Sequence, residues 1–429
     1  MNGKILDSKQ LIGSLAVSLG TILTGVFAYL FNVIIGRSLG PGHFGEIATV
    51  VYILTLVTSF GGVVQTIVTR YTSEFHAKQE LFSLRRNYRK FSLFMLYVGI
   101  CLVVLIIIIV PVLTRFFSLS DRISSAIALT SIVFALLMTV NRGALQGLQY
   151  FTRLSVVNVL EVVAKVAIAY VLIRMSFGLK GAATAILLAP VVAYIMSYIF
   201  LQKDMKGTEG GVELKEVPLN RKELLRYSLP IAWGMILLSL LYSIDVFVMK
   251  KFFSSVESGQ YIAVSQVAKI ILYLGIPIAG VMFPIITQQR ITGEKHYKTL
   301  GLAVTLTLVV IGILLVFYKF YSAILIQKMW GEQFKEGSYL LLSSSVLAAI
   351  ITMINLFVNY YLSIKNYNFL WALTLFTAVQ FQMVMRNHQT INLVLEELRL
   401  ANGLLLTALV LYYLFIKRAQ LKTVFIRGK

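Results

Sequence analysis

Charge is what this sequence has least of. Of its 429 residues only 13% are charged and 58% are hydrophobic, whereas a soluble protein carries about 25% charged residues. That composition excludes a large water-soluble domain. There is one cysteine, Cys101; it cannot form an internal disulfide, and its place in an apolar run predicts a buried filler. The four histidines, His43, His76, His296 and His388, are scattered and offer no metal-ligand spacing. No Walker-type phosphate loop is present, so any work would draw on gradients or on consumption of a substrate rather than on bound nucleotide. No cofactor is implied.

What the chain does have is apolar runs of membrane-spanning length, repeated from end to end. They lack the short alternating pattern of barrel strands. Only helices then satisfy the backbone in lipid, which predicts an all-α integral membrane protein. We expect twelve spans at 11–35, 44–69, 91–113, 123–145, 154–173, 181–201, 227–248, 260–285, 299–318, 338–360, 369–385 and 403–416. The first lacks a small-residue cleavage site and is long for a signal peptide, so it is expected to stay. The segment Ile391–Leu400, with Glu396, Glu397 and Arg399, is expected to lie at an interface.

Lys and Arg concentrate in alternate connections: Arg70–Lys90, Arg142–Arg153, Lys203–Arg226, Arg290–Lys298 and the tail from Lys417. By the positive-inside rule these are cytoplasmic, as are both termini of a multi-pass plasma-membrane protein. The net charge of +21 therefore reflects topology, and its scatter over short loops argues against nucleic acid as a partner. The longest such connection, residues 203–226, is rich in Gly, Pro and mixed charge. It reads as a cytoplasmic linker between an N-terminal six-helix bundle, 1–202, and a C-terminal one, 227–429. Six spans per half give both halves the same orientation, the arrangement of parallel repeats.

Charged residues inside spans cost about 2.5–3.5 kcal/mol each on insertion scales and so face a bundle interior or a wet cavity. Glu161, Lys165, Asp245 and Lys269 are the ones to explain. Glu161 and Lys165 are four residues apart on one helix face, so either they neutralise each other or Lys165 serves a ligand. Asp245 either pairs with Lys250 or Lys269 or takes up a coupling H⁺ or Na⁺. Lys269 has no carboxylate within its own helix turn. It needs a partner on another helix or a water-filled cavity, and cavity exposure is the expectation. Arg37, at the outer end of the first span, either snorkels to the interface or meets substrate. Gly61, Gly62, Pro277 and Pro284 interrupt the second and eighth spans as hinge candidates, with close packing through small residues as the alternative. Pro111, Pro190 and Pro230 are expected to kink other spans.

Several stretches resemble bacterial and archaeal polysaccharide flippases of the multidrug, oligosaccharidyl-lipid and polysaccharide exporter superfamily. GRSLGPGHFGEIA at Gly36–Ala48, with the paired glycines and Arg70 after it, is similar to the opening of those proteins. RGALQGLQYFTR at Arg142–Arg153 resembles the loop after their fourth helix, and FGLKGAATA at Phe177–Ala185 the turn entering their sixth. The stretch Asp245–Lys269 and the later VMFP resemble their seventh and eighth helices. The resemblance implies two bundles around a central cavity, open to each side in turn. Through it would pass saccharides linked to a polyprenyl phosphate or diphosphate, with Arg37, Lys165 and Lys269 as cations for the phosphate or an acidic sugar. Membrane lipid and polysaccharide-assembly proteins are the partners this implies. Two other readings stay open. One is a cation-coupled drug exporter of the same superfamily, which the absence of Asp and Glu from the first span disfavours. The other is a membrane glycan polymerase or ligase, which the short outer loops disfavour; the protein is read as a non-enzyme.

Overall fold

The computed structural model describes residues 8–205, 221–294 and 296–427. Every regular element among them is helical, and the chain divides into two compact units, Met1–Leu225 and Arg226–Lys429. The middle of the expected linker, 206–220, lies outside the described residues.

The first unit holds α1 (Ser8–Thr58), α2 (Gly61–Ala77), α3 (Leu81–Phe116), α4 (Arg122–Thr130), α5 (Ile132–Gly147), α6 (Phe151–Arg174) and α7 (Gly178–Met205). α1 is interrupted at a single residue, Gly40, with φ 78° and ψ 173°. Only glycine reaches that conformation cheaply. Pro41 restarts the helix where its missing N–H would have had no partner anyway. The expected second span therefore comprises the second arm of α1 and then α2, with a bend at Ser59 and Phe60. RGALQGLQYFTR is not a loop. α5 runs to Gly147, and Gln149 (φ 60°) turns the chain into α6 within three residues.

The second unit holds α8 (Arg221–Phe252), α9 (Ser255–Ala268), α10 (Ile270–Thr292), α11 (Tyr297–Trp330), a 3₁₀ stretch at Glu332–Leu340, α12 (Leu341–Ser363), α13 (Phe369–Arg386) and α14 (Ile391–Arg427). A capping box between Ser254 and Glu257 starts α9. Pro111, Pro190, Pro230, Pro277 and Pro284 all lie within helices that continue through them. Ile391–Leu400, expected at an interface, is helical and continuous with the last span. Val394, Leu395 and Leu398 are fully buried, so this segment is the packed first part of α14.

Among the described residues, eleven stretches are long and apolar enough to cross a membrane. One of them, Leu19–Thr58, is forty residues long and is divided by Gly40. The others fall on the expected spans from the third onward. The protein is thus an all-α, multi-pass membrane protein.

The two units repeat one pattern of neighbours. In the first, α5 packs against α2, α3 and α7, and α6 packs against α7. In the second, α12 packs against α10, α11 and α14, and α13 packs against α14. α5 and α12 are the most buried spans of their units. The outer helices turn apolar side chains outward, as Leu302, Leu306, Val309, Ile313 and Val316 do along α11. In water such a stripe would be a liability, whereas lipid is its solvent. Cys101 belongs to the corresponding outward face of α3, near Tyr97, Ile100 and Val104, and is exposed rather than buried. In an apolar solvent, a thiol in such a run gains nothing by turning inward.

Candidate functional site

One polar cluster of the first unit lies where α5 meets α6. The Arg142 guanidinium donates through Nε to Asn158 Oδ1 at 2.9 Å and through Nη2 to Glu161 Oε2 at 2.5 Å. Asn158 and Glu161 are three residues apart and present one face of α6 to it. Lys165, the next position on that face, is held differently. Its Nζ lies 4.0 Å from the centre of the Phe31 ring on α1, a cation–π contact. Of the two options for Glu161 and Lys165, a closed pair is not what forms, because Glu161 is drawn to Arg142. Arg37 is exposed, three residues before the break at Gly40.

Glu46, just after that break, is 5% exposed. Its carboxylate accepts from the backbone N–H and the hydroxyl of Ser120, at 2.8 and 2.9 Å. Next to Ser120, Asp121 caps α4. Burial pushes the Asp121 carboxyl up, but the Ser124 hydroxyl and the N–H groups of Ile123 and Ser124 outweigh it and hold the group below the usual range.

In the second unit, Asp245 on α8 is the centre of a buried network. Lys269 Nζ donates to its carboxylate at 3.0 Å, the Tyr261 hydroxyl at 3.0 Å and the Ser265 hydroxyl at 2.7 Å. Tyr261, Ser265 and Lys269 recur at four-residue intervals and so share one face. This corrects the expectation of a cavity-exposed Lys269. Its side chain is only 7% exposed, and its counter-ion is on the neighbouring helix. Lys250, the other candidate partner for Asp245, is also buried and instead donates to Ser255 Oγ at 3.3 Å. A cavity with room for about one water lies beside the pair, lined by Tyr242, Asp245, Ser265, Lys269 and Ser344.

The expected hinges are placed as follows. Gly61 is buried and faces Thr139 on α5, so it is a packing glycine at an interhelical contact. Gly62 follows it within α2 and is partly buried. Pro277 and Pro284 lie inside α10. Sequence reasoning missed Arg142, because the resemblance put that residue in a loop. It also missed Glu46, whose partner is a loop serine 74 positions away.

The structure thus brings Glu161 and Lys165 near each other with Arg142 between helices, and it joins Asp245 to Lys269. Arg37 belongs to neither cluster. The three carboxylates within the expected spans, Glu46, Glu161 and Asp245, are each engaged by a neighbour.

Residues 11–289 match the family described as "Polysaccharide biosynthesis protein". No curated protein matches the chain in sequence. Among solved structures, one is an inward-facing multidrug resistance MATE family transporter of the MOP superfamily. It has a TM-score of 0.73 at 15% identity, covering 92% of this chain and 95% of that one. A MOP superfamily transporter from Pyrococcus furiosus aligns at TM-score 0.67 and 16% identity over 95% of each chain. A eukaryotic MATE transporter aligns at 0.66 and 12% identity over 94% of each. At such identities these likenesses establish the fold, and the family match covers most of the chain. The chain belongs to the polysaccharide biosynthesis protein family and is a multi-pass membrane protein with the fold of MOP superfamily transporters.

Proposed function

We propose that the protein moves saccharides linked to a polyprenyl phosphate or diphosphate from the cytoplasmic to the outer leaflet of the plasma membrane by alternating access. Both termini are cytoplasmic in this reading, and polysaccharide-assembly enzymes supply and consume the cargo. The observation that carries it is how one cation, Lys165, is held within the spans. Glu46, Glu161 and Asp245 are all occupied by partners, while the Lys165 ammonium rests on an aromatic ring with no carboxylate bonded to it among the described residues. An ammonium held in this way favours an anionic cargo over a cationic drug at that place. Family membership points the same way.

The test is reconstitution in proteoliposomes carrying a fluorescent polyprenyl-diphosphate saccharide on one leaflet. The protein should speed its appearance on the other leaflet, and Lys165→Gln should slow it. Movement of organic cations along with an H⁺ or Na⁺ gradient, with the lipid-linked saccharide left in place, would replace this proposal by the drug-exporter reading.

A further inference from the structure

We infer that Glu161 is an internal stand-in for the cargo's phosphate: it pairs with Arg142 and is displaced when a phosphorylated lipid binds between Arg142 and Lys165. The inference rests on the lipid-phosphate reading above and adds to it a second cation, Arg142, and a competing anion.

Three observations support exchange rather than a fixed strut. The first is exposure. The side chains of Arg142 and Glu161 are 28% and 24% exposed, whereas those of Lys269 and Asp245 are 7% and 4% exposed. The second pair is sealed, and the first is open to a competing ligand. The second observation is the way Arg142 is held. Its Nε is anchored by Asn158 and only one Nη group is used by Glu161. If Glu161 leaves, Asn158 still orients the guanidinium, and the planar fork is then free for bidentate contact with phosphate oxygens.

The third is the placement of Lys165. It lies one helical turn from Glu161 on the same face of α6, about 5–6 Å away between Cβ atoms. An anion that takes Glu161's place at Arg142 is therefore within reach of a second cation, which has no bonded carboxylate to give up. The Phe31 ring under its ammonium keeps the side chain in place without neutralising it.

The energetics favour exchange. A partly exposed pair of single charges is held less firmly than a sealed one. A diphosphate brings more charge and more acceptor oxygens to the same guanidinium. The carboxylate also gives selectivity, because a neutral polyprenol has nothing with which to displace it.

The experiment measures binding of radiolabelled polyprenyl diphosphate to purified protein in nanodiscs, with unphosphorylated polyprenol as control. Removing the internal competitor with Glu161→Gln should tighten diphosphate binding by about two- to fivefold, the range set by a partly exposed pair. Arg142→Gln should weaken binding, and the double change should bind no better than Arg142→Gln alone. Polyprenol binding should be the same throughout. If the native protein binds the diphosphate but Glu161→Gln binds it equally or more weakly at unchanged melting temperature, the exchange is overturned and the transport proposal stands. If Glu161→Gln fails to fold, Glu161→Asp decides the matter, because its shorter side chain keeps the charge but weakens the pair: tighter diphosphate binding than native supports exchange and no gain overturns it. If the native protein binds diphosphate no better than polyprenol, both proposals fall.

Discussion

Thr139 on α5 sets its γ-methyl against the backbone of Gly61 on α2, 2.7 Å from where a glycine Cβ would stand. The second unit repeats the contact with Thr352 on α12 and Gly275 on α10. In both cases the threonine hydroxyl is turned back to its own helix, to Leu136 O and Ala348 O at 2.7 Å, which leaves the methyl for the glycine. The same small-residue lock thus joins the second and central spans of each half.

This contact changes what substitution at Gly61 should do. On a hinge reading, a larger residue slows transport and leaves folding intact. Here a Cβ would meet packed side chain, and overpacking costs about 1–3 kcal/mol. We expect Gly61→Ala to lower the melting temperature in detergent. Thr139→Ser, which removes only the methyl, should recover much of the loss when combined with it. Native stability of Gly61→Ala together with slowed transport would restore the hinge.

A second prediction concerns α5 itself. Asn141 is 1% exposed; its Oδ1 accepts from the Tyr88 hydroxyl on α3 and its Nδ2 donates to Ser197 Oγ on α7, each at 2.7 Å. Asn141→Leu removes both contacts and leaves two hydroxyls without their partner in an apolar interior, at a cost of about 1–3 kcal/mol. A native melting temperature for Asn141→Leu would show that the hub contributes nothing.

How much of this was legible in the sequence follows from the range of the forces involved. Span positions were readable because hydropathy is a local sum, and the break at Gly40 because glycine followed by proline is a local signal. The partners of charged residues were not readable in the same way. Glu161 and Lys165 are neighbours on one face, yet Glu161 bonds to Arg142 on another helix, because a guanidinium braced by Asn158 offers better geometry than a lysine one turn away. For Lys269 the sequence did hold a clue. Tyr261, Ser265 and Lys269 form a polar stripe at four-residue spacing, which called for one shared acceptor on a facing helix. The exposure of Cys101 was misread for a simpler reason: in lipid, an apolar residue has no preference for the inside.

The topology prediction is independent of any side chain. With the basic connections cytoplasmic, the turn at Ser254 and Ser255 between α8 and α9 is external, while the 203–226 linker and the chain after Lys417 are internal. A reporter active only outside the cell should work when fused near Ser255 and be silent at the other two places. Activity in the central linker would contradict two like-oriented halves.

The last prediction separates structure from transport at Asp245 and Lys269. The pair is nearly sealed, and the carboxylate also accepts from Tyr261 and Ser265. Breaking one side of a buried pair costs about 3–5 kcal/mol, mostly because the other charge is left uncompensated. Lys269→Ala should therefore lower the melting temperature and expression, as should Asp245→Ala. The double change should be more stable than either single one, since it strands no charge. Lys269→Arg keeps the charge but not the point geometry, and should fall between native and Lys269→Ala. Lipid-linked saccharide movement, measured per folded molecule, should survive in the double variant, because the cargo cations assigned above lie in the other unit. If the double variant folds as the native protein does but moves no saccharide, the pair belongs to the transport machinery. If Lys269→Ala alone is fully stable, the ion pair is not what holds α8 to α9.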